Sequence, residues 1–173
     1  SPLDIFVAAV HKSSQMGCFG DGTSGACPCG NTVTAGLVSG CRATATGVGV
    51  RLDDQGISSL GSDSLRFYAV NLPPSGVALL LQGHPGVALP FQDGLSCMSG
   101  PLLRIYSATF QNSALDLAPA GGARVHSRSA ALGDPILAGT SRAYQLYFRG
   151  PATGLCQAGN GNLSNSVVVD WTP

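Results

Sequence analysis

The sequence predicts an all-β chain, an antiparallel β-sandwich or jelly roll in a single domain with a disulfide-stapled N-terminal loop region. Three observations predict it. Helix formers are scarce: all nine acidic residues are Asp, Lys12 is the one lysine, and Gly and Pro fill 35 of 173 positions. Gly and Pro are the most unfavourable residues inside a helix. Ser, Thr, Val and Gly dominate instead, a composition suited to strands and turns. Short apolar or alternating runs return every 8–15 residues between turn signals, the spacing of a sandwich and not of a parallel α/β sheet.

The elements are expected in this order. Residues 1–12 form one extended segment, with Leu3-Asp4-Ile5-Phe6-Val7-Ala8-Ala9-Val10 as its strand. Leu3, Ile5, Val7 and Ala9 face one side of it and Phe6, Ala8 and Val10 the other, so both faces need cover. Residues 1–17 are read as this extended strand plus a hinge, and 18–173 as the disulfide-bonded domain. Residues 13–36 are a stapled loop rich in Gly, Ser, Cys and Thr. Residues 41–52 alternate, with Ala43, Ala45, Gly47 and Gly49 against Thr44, Thr46, Val48 and Val50. Further strands are expected over 65–72, ended by Pro73-Pro74-Ser75-Gly76; over 77–82, ended by Gly83-His84-Pro85-Gly86; and over 87–91, ended by Gln92-Asp93-Gly94. The rest are 102–110, 114–117, 136–137, 143–149 and 167–172. Residues 120–135 read as a long connection, and no amphipathic helix stands out.

At 44% hydrophobic, the 173 residues support a core in one domain of ordinary size. Only 10% are charged and the net charge is zero, against about 25% charged on average. Without a basic run the chain lacks the main source of nucleic-acid affinity, and the same argument weakens adhesion to anionic membranes. No apolar run approaches the roughly 20 residues of a membrane span. The first residue is not Met and no signal peptide is present, so Ser1 is expected to be a processed N-terminus, with a trimmed sequence as the alternative.

Cys18, Cys27, Cys29, Cys41, Cys97 and Cys156 are six in number, and an even count in so uncharged a chain points to disulfides and export. Six cysteines allow fifteen pairings. Cys27 and Cys29 are too close to pair with each other without strain. The expectation is that the four early cysteines pair among themselves and leave Cys97 with Cys156. Zinc is disfavoured, because Cys-Pro-Cys is tighter than a zinc knuckle.

No motif points to an enzyme. The Gly-x-Ser-x-Gly elbow and the phosphate-binding Gly-Lys-Ser/Thr loop are missing, and without Glu neither a His-Glu zinc helix nor a Glu-based glycosidase pair can form. Asp21-Gly22, Asp93-Gly94 and Asp134-Pro135 read as turns. His11, His84 and His126 read as exposed polar residues, although a Ser-His-Asp triad remains open on sequence alone. No cofactor is expected. Calcium is the best metal candidate, on Asp21-Gly22-Thr23, Asp53-Asp54 and Ser62-Asp63-Ser64, none of which is an EF-hand loop. Phe67, Tyr68, Phe110, Tyr144, Tyr147, Phe148 and Trp171 fall on expected strands, where packing is the reading and a sugar platform the alternative. Asn162-Leu163-Ser164 is a candidate N-glycosylation sequon in a surface loop.

Cys18-Phe19-Gly20-Asp21-Gly22-Thr23 followed by Cys27-Pro28-Cys29-Gly30-Asn31 resembles the start of an uncharacterised secreted, disulfide-containing β domain. That domain recurs in exported proteins of planctomycetes and related environmental bacteria, often at their C-terminal ends. Residues 89–97, 144–149, 162–165 and 169–173 agree with it, so the resemblance covers about 18–173. It departs at Tyr147-Phe148-Arg149-Gly150, where the family pattern has Trp-Tyr-Arg-Asp. The resemblance implies export and disulfides and carries no activity and no functional residue.

The function expected is therefore that of a secreted or cell-surface structural subunit that self-assembles, into a filament if Leu3, Ile5, Phe6 and Val7 are donated as a strand to a neighbouring copy. The alternative is a monomeric module that binds surface glycans or another ligand.

Overall fold

The structure is a computed structural model that describes residues 14–43, 47–117, 123–151, 155–156 and 160–173. The described residues are all-β with one short helix: β1 Ser14–Gly17, β2 Arg51–Gln55, β3 Arg66–Val70, β4 Ser75–Phe91, β5 Gly94–Gln111, β6 Ala114–Leu117, α1 Val125–Ala131, β7 Ser141–Arg149, β8 Gly161–Leu163 and β9 Ser166–Asp170. The strands do not divide into two facing sheets. They form one antiparallel sheet in the order β1-β9-β7-β4-β5-β6-β3-β2, with β8 also on β7, curled until it is nearly closed as a barrel. Near-closure leaves little of the exposed edge an open sheet would present.

The two ends of that order meet through side chains. Ser14 Oγ on β1 donates to Asp54 Oδ1 on β2 at 2.9 Å. Asn165 does more: its carbonyl accepts the Leu52 N–H at 2.8 Å and its amide donates to the Leu52 carbonyl at 2.9 Å, as a neighbouring strand would. Asn165 is free to do this because it stands with Ser164 in the break between β8 and β9, both of which pair with β7. At the same break, Ser164 takes the place of a ladder partner for Leu146, donating its N–H at 3.0 Å and accepting the Leu146 N–H on Oγ at 2.9 Å.

The main core fills the barrel with Leu52, Phe67, Leu72, Leu80, Ile105, Leu146, Phe148, Val167, Val169 and Trp171, and with Phe67 against Tyr144 at 4.7 Å between ring centroids. Along β4, Ala78, Leu80 and Gln82 point inward and are fully buried, and Val77 points outward, the period of two of a strand with one wet face.

Several expected elements are corrected. Residues 77–82 and 87–91 are one strand, β4, because Gly83-His84-Pro85-Gly86 makes irregular pairing with β5 and not a turn. β5 runs so close there that a Cβ on Gly83 would meet the Ser99 carbonyl at 3.0 Å, and one on Gly86 would meet Ser99 N at 3.0 Å. Residues 136–137 are loop, and within 120–135 lies α1, whose Val125 and Ser129 are buried. Among the described residues of the alternation over 41–52, Arg42 and Gly49 form an isolated bridge and 51–52 begin β2. Residues 14–17, read as hinge or loop, are a strand paired with β9. Leu3, Ile5, Phe6 and Val7 lie outside the described residues.

All six cysteines are oxidised, as Cys18–Cys97, Cys27–Cys41 and Cys29–Cys156. The expected Cys97–Cys156 pair is wrong. The loop carrying the early cysteines lies across the far end of the β4–β5 ribbon, so Cys18 meets β5 and Cys29 meets Cys156, while Cys27 and Cys41 pair locally. Three disulfides suit an oxidising compartment.

Candidate functional site

The outer face of β4, β5 and β7 carries an open groove of about 500 Å³ lined by Val77, Leu79, Leu81, Phe91, Leu102, Arg104, Tyr147 and Arg149. Register places them together: Val77 is opposite Arg149, Leu79 opposite Tyr147, and Leu81 opposite Arg104. These are the outward positions of strands whose inward residues fill the core. Beneath the floor, Leu79 and Tyr147 pack on a second apolar cluster of Leu81, Met98, Ala143 and Leu163. Val77 is 49% exposed, Leu102 44% and Phe91 40%, so the groove wets a good deal of apolar surface. Large exposed apolar patches mark interaction sites more often than single exposed residues do.

Phe91 forms one wall, meeting Tyr147 edge-on at 6.1 Å. It stands one residue before the β4–β5 turn, and that turn is anchored by Asp93. The buried Asp93 carboxylate accepts N–H bonds from Leu155 at 2.7 Å and Cys156 at 3.4 Å, while the Asn31 amide donates to the Asp93 carbonyl at 2.8 Å. Asp93 Oδ1 also touches the Cys29–Cys156 disulfide, 3.0 Å from Cys29 Sγ. The oxidised sulfurs offer no thiolate, so Cys29, Asp93 and Cys156, although close-set, are a structural knot and not a metal centre. The knot fixes the wall of the groove.

Arg104 and Arg149 are exposed, and neither makes an ion pair among the described residues. The groove thus combines an apolar floor with two guanidinium groups and, among the described residues, no acidic lining residue, which fits a partner that is apolar and carries a carboxylate.

No family model, curated protein or solved structure matches the chain. The groove must be read from its own chemistry.

The other candidate residues fall elsewhere. The calcium candidates do not converge: among the described residues the one close-set group of Cys, His and acidic side chains is that of the knot. Asp21 accepts from the N–H and hydroxyl of Thr23 and the N–H of Gly36, which hold its carboxyl below the ordinary 3.8, the Thr23 hydroxyl foremost. Asp53 pairs with Arg51, Asp54 accepts from Ser14, and Asp63 accepts from Leu65 and His126. His84 lies in β4 rather than a turn, and His11 lies outside the described residues. Phe67, Phe110, Tyr144, Phe148 and Trp171 are core, and Tyr147 reaches the groove. Asn162 is corrected: it is 2% exposed, and its amide donates to the carbonyls of Cys41 at 3.4 Å and Arg42 at 3.3 Å. A glycan on that nitrogen would have no path to solvent in the folded chain.

Sequence reading overlooked Leu79, Leu102, Arg104 and Arg149 as site residues. The available signal was an arginine among apolar residues at strand spacing on two separate segments, 102–104 and 147–149, but nothing in the sequence places those segments on either side of β4.

Proposed function

We propose that the chain is an extracellular structural subunit that self-assembles, the segment Leu3-Asp4-Ile5-Phe6-Val7 of one copy docking in the outer groove of the next. The observation that carries the reading is the groove itself, apolar and flanked by Arg104 and Arg149, which have no acidic partner among the described residues. The segment is its chemical complement, four large apolar side chains around Asp4. An added backbone also has a place to pair. β7 follows β4 no further than Gly83, so no strand among the described residues pairs the second edge of residues 84–91. Backbone pairing with pockets for alternate side chains is how strands are donated between proteins. Repeated head to tail, such a contact builds a filament.

The test is sizing with negative-stain microscopy on three samples: the unchanged chain, Ile5→Asp/Val7→Asp, and Arg104→Glu/Arg149→Glu. Assemblies in the first and monomers in the other two are expected, because the first pair buries unpaired charge and the second repels Asp4. Monomers in all three samples contradict assembly. One observation favours a second reading in that event: Phe91 and Tyr147 stand edge-on in the same groove, an aromatic surface for a sugar ring, to be tested by glycan binding.

A further inference from the structure

On the side of the barrel where α1 packs, the loop before β3 meets the helix at a single carboxylate. Asp63 Oδ2 accepts the His126 backbone N–H at 3.0 Å and lies 3.0 Å from His126 Nδ1. Asp63 Oδ1 accepts the Leu65 N–H at 3.0 Å. The Asp63 side chain is fully buried, whereas the His126 side chain is 26% exposed. A buried carboxylate that receives Nδ1–H fixes the tautomer and leaves the lone pair on Nε2. That atom lies 3.3 Å from the Oγ of Ser127, which is exposed. Trp171 walls the imidazole edge-on, its ring centroid 6.3 Å away. Hydroxyl, imidazole and carboxylate therefore stand in the sequence of a nucleophile, its base and the group that orients the base.

We infer that Ser127 is an activated nucleophile that takes small activated esters, with His126 as general base and Asp63 as the residue positioning His126. Ser127 Oγ attacks the ester carbonyl carbon while its proton passes to Nε2. The carbonyl re-forms as the bond to the alcohol oxygen breaks, and His126 returns the proton to that oxygen, leaving an acyl-Ser127 ester. Water then attacks the acyl carbon and gives a proton to Nε2. Ser127 Oγ leaves with the proton from His126, and the carboxylic acid departs. Ser127 stands on the helix surface and not in a cleft, so the substrate class is set by reactivity and not by acyl length. Arg124, three residues earlier, is exposed and makes no ion pair among the described residues. It favours esters that carry a negative charge.

The test is incubation of the full chain with a fluorophosphonate, with the labelled serine mapped by mass spectrometry, beside p-nitrophenyl acetate hydrolysis. Labelling at Ser127 is expected to fall by about 100-fold in His126→Gln, within the range for losing a general base. Ser127→Ala, a change at an exposed position, is expected to abolish both label and hydrolysis, which keeps the inference testable if His126→Gln does not fold. Equal labelling of Ser127 with and without His126, or hydrolysis unchanged in Ser127→Ala, would overturn it.

Discussion

The β4–β5 ribbon is held in two different ways along its length. Its near part, where residues 75–82 pair with 103–111, lies over the main core, with Leu80, Ile105 and Phe110 buried against Phe148 and Leu146. Its far part, where 84–91 pair with 94–99, has little apolar cover. A loop of Gly, Ser and Cys lies there instead, and apart from Met98, which packs with Leu81, Ala143 and Leu163, the buried groups are Cys18, Cys27, Cys41, Leu95 and Cys97 with Asn31 and Asp93. Covalent links and fully bonded amides do at the far end what hydrophobic burial does at the near end. The difference explains how a loop with few large apolar side chains, residues 18–43, still anchors the groove wall.

Gln145 joins the two parts. Its side chain is fully buried, accepts the Cys97 N–H at 2.8 Å, and donates to the carbonyls of Leu95 at 3.0 Å and Ser164 at 2.9 Å. A buried amide bonded at both ends stabilises, whereas one left unpaired costs about 1–3 kcal/mol.

The two parts can be loosened separately. The largest effect is expected from Phe148→Ala, which empties the near part and costs about 3–5 kcal/mol in denaturant unfolding. Removing the far-end staple with Cys18→Ser/Cys97→Ser reopens a loop between cysteines 79 positions apart, and a cost of about 4 kcal/mol is expected from chain entropy. The two should differ in kind. Hydrogen exchange in the cysteine variant should rise around 84–99 while β7 and β9 stay protected, whereas Phe148→Ala should loosen the whole sheet. Equal loosening everywhere in both variants would erase the distinction.

A smaller effect is expected where the barrel closes. Asn165→Leu leaves the buried N–H and carbonyl of Leu52 without partners, costing about 2 kcal/mol of stability, and it should expose the β2 edge to exchange. The smallest effect concerns pH. Asp134 receives both Arg142 Nε and Nη2 at 2.8 Å, and this pairing above all holds its carboxyl below the ordinary 3.8. A depressed folded value means that the contribution is fully present above the unfolded value and is lost as pH falls through the folded one. Acid unfolding curves of Asp134→Asn should therefore be flatter below about pH 4 than those of the unchanged chain.

Much of this was legible from sequence, and for identifiable reasons. Scarce helix formers and recurrent turns predict the all-β class, and short runs between turn signals predict β3, β6, β7 and β9, of which β7 is buried on both faces. The long ribbon was not legible. Gly83 and Gly86 read as turn residues, but in the structure they serve the close approach of β5. The disulfide map failed for the same reason, since pairing follows which loops the ribbon brings together and not distance along the chain. The helix was missed because Val125-His126-Ser127-Arg128-Ser129-Ala130-Ala131 offers only two buried positions. The groove residues were visible one strand at a time, but their assembly depends on β7 lying beside β4, a pairing between residues 60 or more positions apart.

The proposed assembly rests on one contact, the N-terminal segment of one copy in the groove of another. Its most direct test puts a photo-crosslinking phenylalanine analogue in place of Phe6 and mixes heavy- and light-isotope copies before irradiation. Crosslinked peptides of mixed isotope that join residue 6 to the strands carrying Leu79, Leu102 or Tyr147 are the result expected. Crosslinks found only within single copies, or between copies but away from β4, β5 and β7, would contradict it.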